Sequence, residues 1–212
     1  MKEARGAGPL LVLQEVRCAP LERVDLEICA GDSLAILGGE GSGKSRLARV
    51  MACLVAPESG RVAWMGEPGG IGLVFRVPDL RFLCATPREE VALTPASRGL
   101  SGEALRERIA ESLAWAGVAD SWLDREWFRL SAAERYRVGV AAVLAARPEL
   151  MLLDEPGCAL SDAGEASLVG NVREFGRLHG GAMVIFTSRD ARARQADRIV
   201  SIERFLVEPP AG

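Results

Sequence analysis

Lysine is nearly absent from this 212-residue chain, which carries 24 arginines but only Lys2 and Lys44. Histidine is scarcer still. His179 stands alone in a Leu-His-Gly-Gly turn, which argues against a multi-histidine metal site or a Ser-His-Asp hydrolase and leaves a surface-loop role. Paired cysteines are missing too: Cys18, Cys29, Cys53, Cys84 and Cys158 are odd in number, scattered and without a C-x-x-C, so they read as reduced small hydrophobes. A net charge of −3 provides no basic face, and nucleic acid is excluded as a partner. The one apolar run near the start, Pro9 to Leu13, is too short for a signal peptide or a membrane span, so the chain is expected in the cytoplasm. There is no internal repeat and no low-complexity linker. With 49% hydrophobic residues the chain can bury a sizeable core, as one α/β domain or one with a small helical lobe.

Glycine, by contrast, is concentrated where it matters. The stretch GGEGSGKS, Gly38 to Ser45, fits G-x-x-x-x-G-K-[ST] and lies between an apolar run, Ser33 to Leu37, and a helical pattern, Lys44 to Leu54. Gly38, Gly39, Gly41 and Gly43 let backbone N–H groups close around phosphate oxygens at a helix N-terminus, where the dipole favours an anion. The candidate nucleotide-binding residues are therefore Gly38, Gly39, Glu40, Gly41, Ser42, Gly43, Lys44, Ser45 and Arg46. Lys44 would reach the terminal phosphates of ATP, and the Ser45 hydroxyl would ligate Mg²⁺.

Strand and helix signals alternate along the chain as in a wound α/β sheet. Strands are expected at 11–18, 21–28, 61–65, 71–77, 149–154, 182–187 and 198–202. Helices are expected at 102–116, with Ser101 as N-cap, at 131–146, ended by Arg147-Pro148, at 162–178 and near Ala191. Trp115, Trp122, Trp127 and Phe128 read as core and lobe packing. Arg189, Arg192 and Arg194 read as a solvated helix face, and the Pro-rich end, from about residue 205 to 212, as a loose tail.

A second constellation, Leu150-Met151-Leu152-Leu153-Asp154-Glu155-Pro156, is an apolar strand ending in two acids at the carboxyl edge of a sheet, where ligands of open α/β sheets collect. Asp154 would join the Mg²⁺ shell, and Glu155 could polarise an attacking water. Together with the helix before it, the run LSAAERYRVGVAAVLAARPELMLLDEP, Leu130 to Pro156, resembles the signature helix and Walker B strand of ATP-binding cassette ATPases. The segment GLVFRVPDLRFLCATPREEVALTP, Gly72 to Pro95, is similar to the glutamine-loop region of energy-coupling-factor and cobalt-type importer ATPases. The resemblance implies a P-loop NTPase of cassette type in one domain, with a parallel core sheet, an N-terminal antiparallel β lobe and a helical lobe from about 76 to 147. It also implies a head-to-tail pair with a second cassette subunit, so that Ser131, Ala132, Ala133 and Glu134 face the partner's ATP. Transmembrane transporter subunits would dock near Arg76 to Glu90, placing the chain on the inner face of the cell membrane, and the cargo would be a vitamin or a transition-metal ion.

Against that family pattern several positions are altered. The glutamine is Arg76, a donor-only cation that cannot ligate a metal but can pair with a phosphate. The signature glycines are Ala132 and Ala133, the D-loop aspartate is Ser161, and the switch histidine is Ser188, which cannot hold a proton near neutral pH. Arg17-Cys18-Ala19-Pro20 lacks the usual adenine-stacking aromatic, and the chain runs only a few residues past Arg204, where many energy-coupling-factor ATPases continue into a pairing domain. Two readings therefore stand together: a transport-coupled ATPase with Glu155 catalytic, and a catalytically weak ATP-clamping half of a heterodimer. A small-molecule P-loop kinase is disfavoured by the signature-like helix directly before Leu150.

Overall fold

The computed structural model describes residues 8–76 and 82–206. Two sheets organise the chain. Strands β1 (Pro9–Cys18), β2 (Leu21–Cys29) and β4 (Ser59–Trp64) form an antiparallel sheet in the order β2-β1-β4. Strands β3 (Ser33–Leu37), β5 (Ile71–Val74), β6 (Leu150–Asp154), β7 (Ala182–Thr187) and β8 (Arg198–Ser201) form a parallel sheet in the order β5-β6-β7-β3-β8. Both expected sheets are thus present.

The period-two alternation of strands sorts the parallel sheet's side chains between two cores. Leu34, Ile36, Leu152 and Val184 pack with the antiparallel sheet and with helix α1 (Lys44–Met51). Ala35, Leu153 and Ile185, one position along, pack on the opposite face with α2 (Pro87–Ser97), α3 (Gly102–Ala116), α4 (Ala132–Ala145) and α5 (Asp162–His179). Because β3, β6 and β7 are buried on both faces, they read as continuous apolar runs, which makes them legible in the sequence. A short helix α6 (Asp190–Ala193) follows β7.

Some expectations are corrected. Helix α1 stops at Met51, not Leu54, because Cys53 adopts a left-handed φ of 57°. The segment 87–97, with no helical periodicity, is helix α2: Thr86 and Glu89 form a capping box, Pro87 sits at the first turn, and Pro95 is buried inside it. Ser101 precedes α3 without making a side-chain cap. His179 is the last residue of α5, not a loop residue; its ring lies 4.3 Å from that of Phe175 and its Nε2 is 3.3 Å from Glu111. All five cysteines are free, but Cys18 is buried whereas Cys53 and Cys158 are exposed. Trp115, Trp122 and Trp127 pack on the helical core as expected, and Phe128 does not, being 76% exposed. Phe205, counted with the loose tail, is buried, and Leu206 pairs with Leu21; residues 207–212, like the end of the expected 71–77 strand, lie outside the described residues.

Tyr136 on α4 is fully buried, and its hydroxyl has no hydrogen-bond partner among the described residues. Burial, with Asp154 and Glu165 nearby, holds its phenol well above the usual range. An unmet buried hydroxyl costs about 1–3 kcal/mol. Tyr136→Phe is therefore expected to leave stability unchanged or raise it by about 1 kcal/mol, whereas Tyr136→Ala should cost about 3–5 kcal/mol in urea unfolding.

Candidate active site

Four strands deliver their carboxyl ends to one edge of the parallel sheet. Strand β3 runs into Gly38, β6 ends at Asp154, β7 ends at Thr187 before Ser188, and Arg76 stands two residues past β5. The turn after β3 is shaped by its glycines. Gly43, at the N-cap of α1, has φ 96°, and a Cβ on Gly38 would lie 2.1 Å from Cγ2 of Ile202. Gly43 thus leads the chain into α1, whose first N–H groups have no intrahelical acceptor and suit an anion.

Lys44 is 6% exposed, and its ammonium is fully engaged. Its Nζ donates to the carbonyl oxygens of Gly38 at 2.7 Å and Gly39 at 2.6 Å, and lies 3.2 Å from Oε1 of Glu155. Glu155 is 6% exposed and has a left-handed backbone (φ 46°), held by its N–H bonding to the carbonyl of Phe186. Its other oxygen, Oε2, accepts from the Ser188 hydroxyl at 3.5 Å. Asp154 is buried; burial raises its carboxyl above the ordinary value, and the Ser45 hydroxyl, hydrogen-bonded to it, pulls in the opposite direction. Its Oδ1 has no partner among the described residues. A carboxylate oxygen left unmet beside a hydroxyl is a hard-donor set that suits a divalent cation such as Mg²⁺, whose remaining positions fall to phosphate and water. By themselves these residues do not make a protein-only metal cage: no cluster of three or more His, Cys, Asp or Glu that could hold an ion occurs among the described residues.

Two adjoining cavities meet here. One, of about 220 Å³, is lined by Glu40 to Arg46, Arg76 and Glu155. The other, of about 310 Å³, shares Glu40, Arg76 and Glu155 and adds Cys158, Ser188 and Arg192. The structure thus brings together the glycine-rich turn, Arg76, Glu155 and Ser188. Ser131, Ala132, Ala133 and Glu134 line neither cavity. They open α4, where Ser131 accepts from the Glu134 N–H at 3.2 Å and Glu134 accepts from the Ser131 N–H at 2.7 Å. At the Arg17 to Pro20 turn, Arg17 pairs with Glu22 at 3.0 Å and shares Glu58 with Arg46. Ser161 caps α5 by accepting from the Gly164 N–H.

Sequence reasoning missed one feature of this edge. Arg192, taken as solvated, is buried, and its guanidinium contacts Glu165, 1% exposed, as well as Asp162 at 2.7 Å; Arg189 also reaches Asp162. Only the spacing of Glu165 on α5, in register with buried Leu168 and Val169, hinted that this carboxylate faces inward.

Residues 21–157 match the family described as ABC transporter. The chain is 38% identical to the energy-coupling factor transporter ATP-binding protein EcfA1 of Symbiobacterium thermophilum, over 98% of this chain and 73% of that protein, and 36% identical to EcfA1 of Bacillus subtilis, over 90% and 72%. Among solved structures it is similar to cbiO1 of Clostridium perfringens, part of the ABC transporter complex cbiONQ, with TM-score 0.79, 25% identity and coverage of 92% and 84%. The dimeric ATP-binding cassette MJ0796 bound to ADP and Pi aligns with TM-score 0.79 and 25% identity over 91% of this chain and 94% of that one.

The buried Glu165–Arg192 pair gives a pH prediction. Burial raises the Glu165 carboxyl from 4.5 to about 7, with Arg192 and Arg189 opposing and Glu155 and Asp162 reinforcing the rise. The folded chain therefore holds this proton more tightly than the unfolded one. Its contribution to stability is full below pH 4.5 and is lost as pH rises through about 7. In Glu165→Gln that loss, at most about 3 kcal/mol, should vanish, so the variant gains on the parent between pH 5 and 8. Parallel unfolding curves across that range would contradict it.

Proposed function

This chain belongs to the ABC transporter family, and we propose that it is the ATP-hydrolysing subunit of an energy-coupling-factor-type importer whose cargo is a vitamin or a transition-metal ion. The observation that carries the reading is the convergence of the glycine-rich turn, Lys44 and Glu155 on one cavity. It is supported by relatives described as energy-coupling factor ATP-binding proteins. The unit proposed is one cassette domain, with the helices between about residues 76 and 147 as its lobe.

In this reading ATP enters with its phosphates at the N-terminus of α1, and Lys44 exchanges its contacts with the Gly38 and Gly39 carbonyls for phosphate oxygens. Ser45 and Asp154 would hold Mg²⁺, which when bound neutralises phosphate charge. Glu155 orients the attacking water and takes its proton, and Ser188 steadies the second carboxylate oxygen. Ser131, with the capped start of α4, faces the ATP of a second cassette subunit, in a homo- or heterodimer. The membrane-spanning subunits would seat in a groove of about 370 Å³ whose lining includes Phe75, Phe82, Leu83, Leu93 and Val143, where Leu83 is 81% exposed. No helix among the described residues is long and apolar enough to cross a membrane, so attachment at its inner face would come through those subunits.

The test is magnesium-dependent ATP turnover measured beside nucleotide binding. Glu155→Gln should keep ATP affinity and lose about 10²–10⁴-fold in rate, while Lys44→Ala should lose about 100-fold in affinity. Tight binding with no turnover in the parent chain would replace this reading with the ATP-clamping half of a heterodimer. If Ser188 limits the rate, Ser188→His should raise turnover by about 10-fold or more with little change in ATP affinity.

A further inference from the structure

Arg76 is the one cation that lines both cavities at the sheet edge with Glu155 among the described residues that line them. Of the first cavity's other two cations, Lys44 is given to the nucleotide in the reading above, and Arg46 is turned away. Lys44 is held by two carbonyls and Glu155, and Arg46 is turned to Glu58 at 2.7 Å. Arg76 instead lies against Glu40 of the glycine-rich turn, Nη2 to Oε1 at 3.2 Å, and also contacts the Cys158 thiol. The Arg76 side chain is 47% exposed and that of Glu40 80%. A solvated ion pair of this kind contributes little, so the guanidinium is released readily to a more highly charged anion. Its planar fork matches two oxygens of a phosphate, and as a pure donor it can neither ligate a metal nor accept a proton from water.

Position decides which phosphate it meets. The inner phosphates of a nucleotide are met by the N-terminus of α1, with Lys44 reaching on toward the terminal ones, while the phosphate under attack must lie beside Glu155, and Arg76 shares both cavity walls with Glu155. We propose that Arg76 reads the terminal phosphate: on nucleotide binding its guanidinium leaves Glu40 for the oxygens of the third phosphate, so the site discriminates triphosphate from diphosphate, with Glu40 as the competing acceptor that sets the threshold. The proposal rests on the ATP-binding reading above.

Calorimetric affinities for β,γ-imido-ATP and for ADP test it, with thermal unfolding as a check that each variant folds. Arg76→Gln should weaken the triphosphate analogue by about 10- to 100-fold and leave ADP within about twofold, with Arg76→Lys between. Glu40→Gln should move the other way, tightening the triphosphate by about two- to fivefold. Equal losses for both nucleotides, or no loss for either, in Arg76→Gln overturn the proposal while the ATP reading stands. A parent chain that binds neither nucleotide overturns both.

Discussion

A buried ammonium must find acceptors or lose its charge, and at Lys44 the whole sheet edge is arranged to supply them. Two acceptors are carbonyls of the turn that Lys44 itself ends, and the third is a carboxylate on the loop after another strand. Those partners meet because β6 lies one strand away from β3 across β7, with all three in parallel register: Leu37 sits beside Thr187, and Asp154 beside Phe186. A shift of register by one residue would turn the apolar runs of these strands toward the wrong cores and carry Glu155 away from the ammonium.

The altered positions form a physical pattern once the strands place them. Arg76 and Ser188 are distant in sequence but border one cavity on either side of Glu155. One brings a fixed positive charge and the other a short hydroxyl. These two positions therefore suit an anion and not proton transfer, since an arginine stays charged and a serine does not titrate near neutrality, and proton transfer is left to Glu155 between them. Ser131 and Glu134, by contrast, satisfy each other's backbone groups at the start of α4. Replacing glycines by Ala132 and Ala133 just inside that cap favours a well-formed first turn.

Behind this edge sits the Glu165–Arg192 pair, which ties α5 to α6 below the loop that follows Asp154. Burial disfavours the ionised Glu165 even beside Arg192, so the pair holds two charges only as the pH passes about 7, and below that the guanidinium faces a neutral neighbour. Asp162, which receives Arg192 and Arg189 together, gives the guanidinium a second, solvated acceptor. The short helix after β7 is thereby fixed relative to the helix after β6, and with it the backbone on which Ser188 stands.

Much of this was legible in the residues because their causes are local. The glycine-rich turn needs Gly43 in a left-handed conformation and Gly38 for space, the buried strands need unbroken apolar runs, and Ser131 needs Glu134 three residues on. Helix α2 was hidden by Pro95, although its start was written in Thr86, Pro87 and Glu89. What the sequence could not disclose were pairings between distant segments: Arg192 turned inward onto Glu165, Phe205 packed into the core, Arg76 set against Glu40, Ser188 brought to Glu155. Local sequence determined the turn, the strands and the caps, since each depends on neighbours within a few residues. Only the tertiary structure decided which charges meet, because a partner far along the chain is chosen by strand order and register and not by the residues beside it.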